Sequence, residues 1–301
     1  MGAKIAIGID LGCTNIKGVL VDEHGKILSE LKEDTHEQND AYWKDAVMKM
    51  IHQLGQQVAH RDYVIGLSAP GLADAANNCI TFMPGRLPGL ENFDWTRWIG
   101  ERVFVLNDAH AALMAEAAFG AAKGLQHAVL LSLGTGIGGG ILIDGKLYQG
   151  VGQMAGHIGH TSVNASSEKR DVTNMVGSIE EAFGSVSINE RSHGRYDTTE
   201  ALVGDYVKGD EIATWIWLNA VQKLAVSIAS TINILSPEVL ILSGGITNAK
   251  EALLEPLKSF LGLYEWRPGG KKTEIRFANF SERAGAIGAG AFALSKMNPT
   301  I

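Results

Sequence analysis

An α/β fold of two similar halves is the architecture this chain predicts, and three observations carry that reading. Strands alternate with helices after an opening run of three strands. A glycine-bearing strand–turn–strand unit occurs twice, with Leu11 and Leu133 at corresponding places and a constant offset of 122 residues. The 301 residues, 46% hydrophobic and 20% charged, suffice for two domains with cores of their own.

The elements follow in order. Residues 5–10, 16–22 and 26–31 read as three strands joined by tight turns. Residues 41–59 read as an amphipathic helix, with Trp43, Val47, Met50, Ile51, Leu54 and Val58 at helical spacing on a core-facing stripe. A strand at 63–67 leads into Ser68-Ala69-Pro70-Gly71, and a looped region covers 72–94. A short helix at 95–100, a strand at 103–106 and an Ala-rich helix at 109–120 complete the first half. The second half repeats the plan with strands at 128–133 and 140–144, then a loop-rich segment at 150–192. A long helix spans 212–235, with Asp210 as its N-cap and Pro237 beyond its end. A strand at 239–242, a helix at 253–263, a strand at 273–277 and a helix at 284–297 follow. The small residues of that last helix suit close packing, and it returns to the first half. The expected domains are therefore 1–119 with 284–301, and 120–283.

Composition narrows the function. Net charge is −7 and no block of Lys or Arg stands out, which disfavours nucleic acid as a partner. Two cysteines, Cys13 and Cys79, make neither a disulfide framework nor a metal spacing. The start is too short and too weakly basic for a signal peptide, and no run reaches the roughly 18 apolar residues of a membrane helix. The expectation is a cytoplasmic protein without a membrane partner.

Chemistry concentrates at strand ends. Asp10 closes the first strand beside the turn Gly12-Cys13-Thr14-Asn15, whose backbone N–H groups and side chains suit phosphate oxygens, with Lys17 adding positive charge. Gly134-Thr135-Gly136 is the matching turn of the second copy, and Gly244-Gly245 ends a later strand. Five positions are identical between the copies: Leu11/Leu133, Gly12/Gly134, Gly18/Gly140, Leu20/Leu142 and Asp22/Asp144. Two such turns can hold a polyphosphate between them. Asp108 precedes a helix, where an N-cap is the structural alternative to a catalytic base. As a base accepting a hydroxyl proton in phosphoryl transfer it contributes about 10²–10⁴ in rate. His157 and His160, three apart, lack a third His or a Cys for a tetrahedral metal site. Glu168 and Asp171 nearby read as solvated surface charge.

Taken together, the motifs resemble the ROK family of sugar kinases and sugar-responsive repressors. The resemblance rests on Gly8-Ile9-Asp10-Leu11-Gly12-Cys13-Thr14-Asn15-Ile16-Lys17, Gly66-Leu67-Ser68-Ala69-Pro70-Gly71, Asn107-Asp108-Ala109, Leu133-Gly134-Thr135-Gly136, Ala155-Gly156-His157-Ile158-Gly159-His160 and Gly177-Ser178-Ile179-Glu180, in family order. It implies the actin-like ATPase (ribonuclease H-like) fold, two similar α/β domains with a central cleft. It implies phosphorylation of a hexose or N-acetylhexosamine at the 6-hydroxyl by Mg-ATP, with Asp108 as base. Gly71, Asn92, Asn107, His157, His160 and Glu180 would hold the sugar. Asp10, Gly12, Cys13, Thr14, Asn15, Lys17, Gly134, Thr135, Gly136, Gly244 and Gly245 would hold ATP, with Asp10 on Mg²⁺ through water. A homodimer is what the family suggests. Repressor members carry a DNA-binding domain before the first strand, whereas this chain opens on that strand, so the resemblance favours the kinase branch.

The chain departs from the family pattern at three places. Asp171, Thr173 and Ser178 stand at the cysteine positions of the C-x-C-G-x-x-G-C zinc motif, which argues against a structural zinc. His157 replaces a sugar-binding Glu, and Cys13 replaces a Gly. The alternative reading is a catalytically weak sugar-binding or regulatory protein of the same fold. A third is another transferase of that fold, acting on a carboxylate or using polyphosphate as donor.

Overall fold

The computed structural model describes residues 4–58 and 62–297. The strands are β1 (Ile5–Leu11), β2 (Asn15–Asp22), β3 (Ile27–Asp34), β4 (Tyr63–Ala69), β5 (Leu72–Ala73), β6 (Ile80–Phe82), β7 (Val103–Asn107), β8 (Ala128–Leu133), β9 (Ile137–Ile143), β10 (Lys146–Tyr148), β11 (Val239–Ser243) and β12 (Glu274–Phe277). The helices are α1 (Asp40–Gln56), α2 (Trp95–Ile99), α3 (Asp108–Phe119), α4 (Ile179–Phe183), α5 (Ile188–Arg191), α6 (Thr199–Val207), α7 (Glu211–Leu235), α8 (Glu251–Tyr264) and α9 (Ala284–Met297). The expected end of the first helix at Ala59 lies outside the described residues. Two five-stranded sheets share one order, β3-β2-β1-β4-β7 and β10-β9-β8-β11-β12. In the first, β1, β2 and β3 pair antiparallel, and β4 and β7 extend the sheet in parallel. In the second, β10 pairs antiparallel with β9, and β11 runs parallel to both β8 and β12. The repeated sequence unit is thus a repeated topology.

The chain divides into two compact units, one of Met1–Gln126, Gly140–Ala155 and Ala278–Ile301, the other of His127–Gly139 and Gly156–Phe277. In the first unit α1 lays Trp43, Val47, Met50, Ile51 and Leu54 into a core with Ile5, Ile7 and Ile9 of β1. Asn39 caps α1 by accepting from the Tyr42 N–H at 3.1 Å. The helix α9 packs on β1 and β4 so closely that a Cβ on Gly8 or Gly66 would overlap the carbonyls of Ala286 and Ala289. Glu116 of α3 is fully buried. Its carboxylate accepts from the N–H of Ala121 (2.7 Å), Asn279 (2.7 Å) and Phe280 (3.2 Å). One side chain therefore ties the segment before the chain leaves this unit to the segment on which it returns.

The second unit is centred on α7, which buries Trp217, Leu224 and Ile228 against α4, α6 and α8. Asp210 caps it, as its sequence predicts, by accepting from Ala213 N–H at 2.7 Å. This helix corrects the expectation that no segment suits a membrane, since α7 is long and apolar enough by length and composition. Its apolar residues serve the protein core, with just over half of that window buried there.

Three other expectations change. The second strand of the second copy begins at Ile137 rather than residue 140, because Gly138 and Gly139 lie in the strand. A Cβ on Gly139 would press on the carbonyls of Gly156 and Leu130, so glycine marks a crowded strand there, not a turn. The segment 150–192 contains α4 and α5, which are too short for a periodic pattern to show. The helix α6, begun by a Thr198 cap on Ala201 N–H, was not read from the sequence.

Candidate active site

In the first unit the site is built on the ends of parallel strands. Asp10 of β1 and Ser68 of β4 are register partners, and Ser68 Oγ donates to Asp10 Oδ1 at 2.6 Å. Crowding by protein raises the Asp10 pKa, against the opposing pull of the Ser68 hydrogen bond and the Lys17 charge. Lys17, opposite Asp10 on β2, gives its ammonium to the Glu282 carbonyl (3.0 Å) and carboxylate (3.3 Å).

The turn after β1 closes with Gly12 N–H donating to Asn15 O at 3.0 Å. Thr35, fully buried, then takes both outward carbonyls: its Oγ1 donates to Gly12 O (2.6 Å) and its N–H to Thr14 O (2.9 Å). The N–H groups of Cys13 and Thr14 have no acceptor among the described residues, which leaves the donor side of the turn for an anion. Sequence reading missed Thr35, which lies one residue past β3 with no motif around it. Thr35→Val keeps the shape and the N–H but removes the hydroxyl. The expected result is a rise of about tenfold in the KM for nucleotide with a smaller change in kcat, read from initial rates at saturating acceptor. The figure is that of one hydrogen bond at roughly 1 kcal/mol or somewhat more.

Cys13 is woven into the same region. Its thiol contacts Glu37, which pairs with Arg86 through the guanidinium Nε and Nη2 and accepts from Leu87 N–H at 3.3 Å. Burial pushes the Cys13 pKa up to about 11, so the thiol is protonated at neutral pH.

At the end of β7 the sequence alternative for Asp108 is corrected. The N-cap of α3 is Asn107, whose Oδ1 accepts from Ala109 N–H (2.9 Å) and His110 N–H (3.2 Å). Asn107 Nδ2 donates to Gly71 O at 2.9 Å, so this side chain joins the Gly71 turn to the helix start. Gly71 has φ +101° and no room for a Cβ beside the Phe82 carbonyl. Asp108 is the first helical residue, with its outer surface open to solvent. Surrounding protein and, second, the Asp10 carboxylate push its pKa up to about 6, while hydrogen bonds from Ala109 and Asn107 act the other way. Asn92 is exposed, has φ +58°, and donates its N–H to Ile80 O at 2.7 Å.

In the second unit the turn Gly134–Gly136 repeats the first turn's logic with different partners. Gly134 N–H donates to Gly136 O (3.0 Å), and Ser185 and Val186 N–H groups take the carbonyls of Gly134 and Thr135 (both 3.0 Å). The N–H groups of Thr135 and Gly136 have no acceptor among the described residues. Glu180, in the first turn of α4, accepts from Ile137 N–H at 2.9 Å, and a Cβ on Gly136 would collide with it. Gly244, φ +89°, lies against the Leu133 backbone where a side chain has no place, and Gly245 opens onto free space.

The rings of His157 and His160 stack with centroids 6.3 Å apart and planes 9° from parallel. Asp171 is not the solvated charge its sequence context suggested: its side chain is 1% exposed and its Oδ2 lies 3.1 Å from His160 Nδ1. Ligand atoms of His160, Asp171 and Glu180 fall within 4.8 Å of one another. The second unit thus brings His157, His160 and Glu180 together.

Residues 6–296 match the model of the ROK family. The chain belongs to the ROK family. Among its ROK relatives, a glucokinase of Thermotoga maritima is 32% identical over 291 residues, 86% of this chain and 90% of the relative. A xylose repressor of Bacillus spizizenii is 27% identical over 302 residues, 95% of this chain and 76% of the repressor. The crystal structure of a ROK hexokinase from Thermus thermophilus superposes with a TM-score of 0.85 at 26% identity, covering 98% of this chain and 99% of its own. The ROK zinc motif has no cysteine set here: Cys13 and Cys79, both free, are the chain's two cysteines.

Proposed function

We propose that this ROK protein is an ATP-dependent carbohydrate kinase of actin-like ATPase architecture that phosphorylates a hexose or N-acetylhexosamine at its 6-hydroxyl. The observation that carries this reading is Asp108, a carboxylate at a helix start and open to solvent, whose pKa the surrounding protein and the Asp10 carboxylate push up to about 6. At neutral pH it is ionised and basic enough to accept a proton from an alcohol as that alcohol attacks phosphorus. The hydroxyl proton passes to Asp108, the sugar oxygen bonds to the γ-phosphorus, and the bond to the β-bridging oxygen breaks to release ADP. Bound Mg-ATP supplies the phosphoryl group and neutralises its charge. In the first unit the N–H groups of Cys13 and Thr14 suit its phosphates and Asp10, whose Oδ2 has no protein donor among the described residues, suits its cation; in the second unit the N–H groups of Thr135 and Gly136 form a turn of the same anion-binding kind. Asp10 would act on the cation through water. Gly71, Asn92, Asn107, His157, His160 and Glu180 are the residues proposed to orient the sugar. The relatives' names, a glucokinase and a hexokinase, support the acceptor class.

Coupled ADP release over a panel of hexoses and N-acetylhexosamines tests this. Turnover on at least one sugar, with product analysis placing phosphate on the 6-hydroxyl, is expected. Sugar-dependent thermal stabilisation without turnover on any of them would instead make the protein a binder, the role a repressor among its relatives brings into view.

A further inference from the structure

We propose that Asp171 is a positioning residue that gathers the 160–178 segment around its carboxylate and sets the tautomer of His160. This deepens the kinase reading, since it rests on His160 as a sugar contact. Asp171 Oδ1 accepts three bonds, from Thr173 N–H (2.9 Å), Thr173 Oγ1 (2.7 Å) and Met175 N–H (3.0 Å). Its Oδ2 faces His160 Nδ1 at 3.1 Å, and Ser178 adds to the pull that lowers the pKa of the same carboxylate. Ser178 Oγ caps α4 by accepting from Glu181 N–H at 3.2 Å, at the start of the turn that bears Glu180.

Asp171, Thr173 and Ser178 are the three positions where the ROK motif has cysteines, and here they converge on one point with His160. They do not fit zinc. No thiolate is present, both hydroxyls are neutral, and that of Thr173 is spent on Asp171. A cation among His160, Asp171 and Glu180 meets the same difficulty, with Asp171 Oδ1 already taking three donors and Glu180 Oε2 taking Ile137 N–H. The carboxylate stands where a metal would, and hydrogen bonds replace coordination.

The consequence for His160 is chemical. Burial alone would raise the Asp171 pKa, but the bonds from Thr173, Met175, His160 and Ser178 outweigh it and hold it at about 2. An ionised carboxylate only accepts, so Nδ1 of His160 carries the proton. In the neutral ring Nε2 is then an acceptor, suited to receive a sugar hydroxyl's hydrogen.

The test is Asp171→Asn in the full chain. The amide oxygen replaces Oδ1 in the turn, and the NH₂ group meets His160 Nδ1 and forces the opposite tautomer. Imidazole ¹⁵N spectra at pH 8, with His160→Gln to assign the ring, are expected to show Nδ1–H in the native protein and Nε2–H in the variant. The sugar KM rises about tenfold or more with kcat changed less than threefold. Nε2–H in the native protein overturns the proposal without recourse to any variant. So does an inverted tautomer with unchanged sugar KM, or one equivalent of zinc in the purified protein. An unchanged melting temperature in chelator supports the metal-free network. If no sugar is turned over yet the tautomer inverts, the kinase reading fails while the tautomer assignment stands.

Discussion

Asp108→Asn is expected to lower kcat by about 10²–10⁴ while sugar binding, measured by calorimetry, survives. The same substitution is expected to raise the melting temperature at pH 7.5. Asp108 titrates at about 6 in the folded protein against its ordinary 3.8. A raised carboxylate contributes its full stability below the lower value and loses it as pH climbs through the upper one. At neutral pH the folded protein therefore carries a charge it would be more stable without, and Asn removes that charge. The gain in melting temperature shrinks as pH falls from 7 through 6 and vanishes below the ordinary value of 3.8, where both states of the native residue are protonated. Native kcat/KM is expected to show an acid limb near pH 6, falling tenfold for each pH unit below it. Full activity in the variant would remove Asp108 from the chemistry, and an unchanged melting temperature would remove the electrostatic argument.

Glu116→Ala is the second large effect, and it concerns stability. Three backbone N–H groups, of Ala121, Asn279 and Phe280, lose a shared acceptor in the interior. Each buried donor left unpaired costs about 1–3 kcal/mol. A loss of about 3–5 kcal/mol on urea unfolding is expected, a large share of what a domain of this size has to spare. Glu116→Gln keeps an oxygen toward one side and loses less. An unfolding midpoint within experimental error of the native value would mean that solvent reaches those N–H groups and replaces the carboxylate.

Much of this was legible in the sequence because it depends on local chemistry. The two hairpins show as alternating apolar residues around glycine turns. The N-cap of α7 shows because Asp210 sits directly before the apolar pattern. What was missed depends on contacts between residues far apart in the chain. Thr35 closes the Gly12–Asn15 turn from 20 residues away or more, and a lone Thr after a strand has no signature. Asp171 read as surface charge because its neighbours Glu168, Lys169 and Arg170 are charged, whereas its donors come from the turn's own backbone and from His160. The sequence offered Asp108 as the cap of the helix that follows, and only geometry assigns that place to Asn107.

The placement of α9 has a consequence for synthesis. Gly8 and Gly66 have no side chains because the helix that lies on them is encoded by residues 284–297. While the ribosome is still translating the middle of the message, β1 and β4 are already made but have nothing to cover that face. The unit that begins first is thus finished last, and chaperone dependence during translation should concentrate on its uncovered sheet.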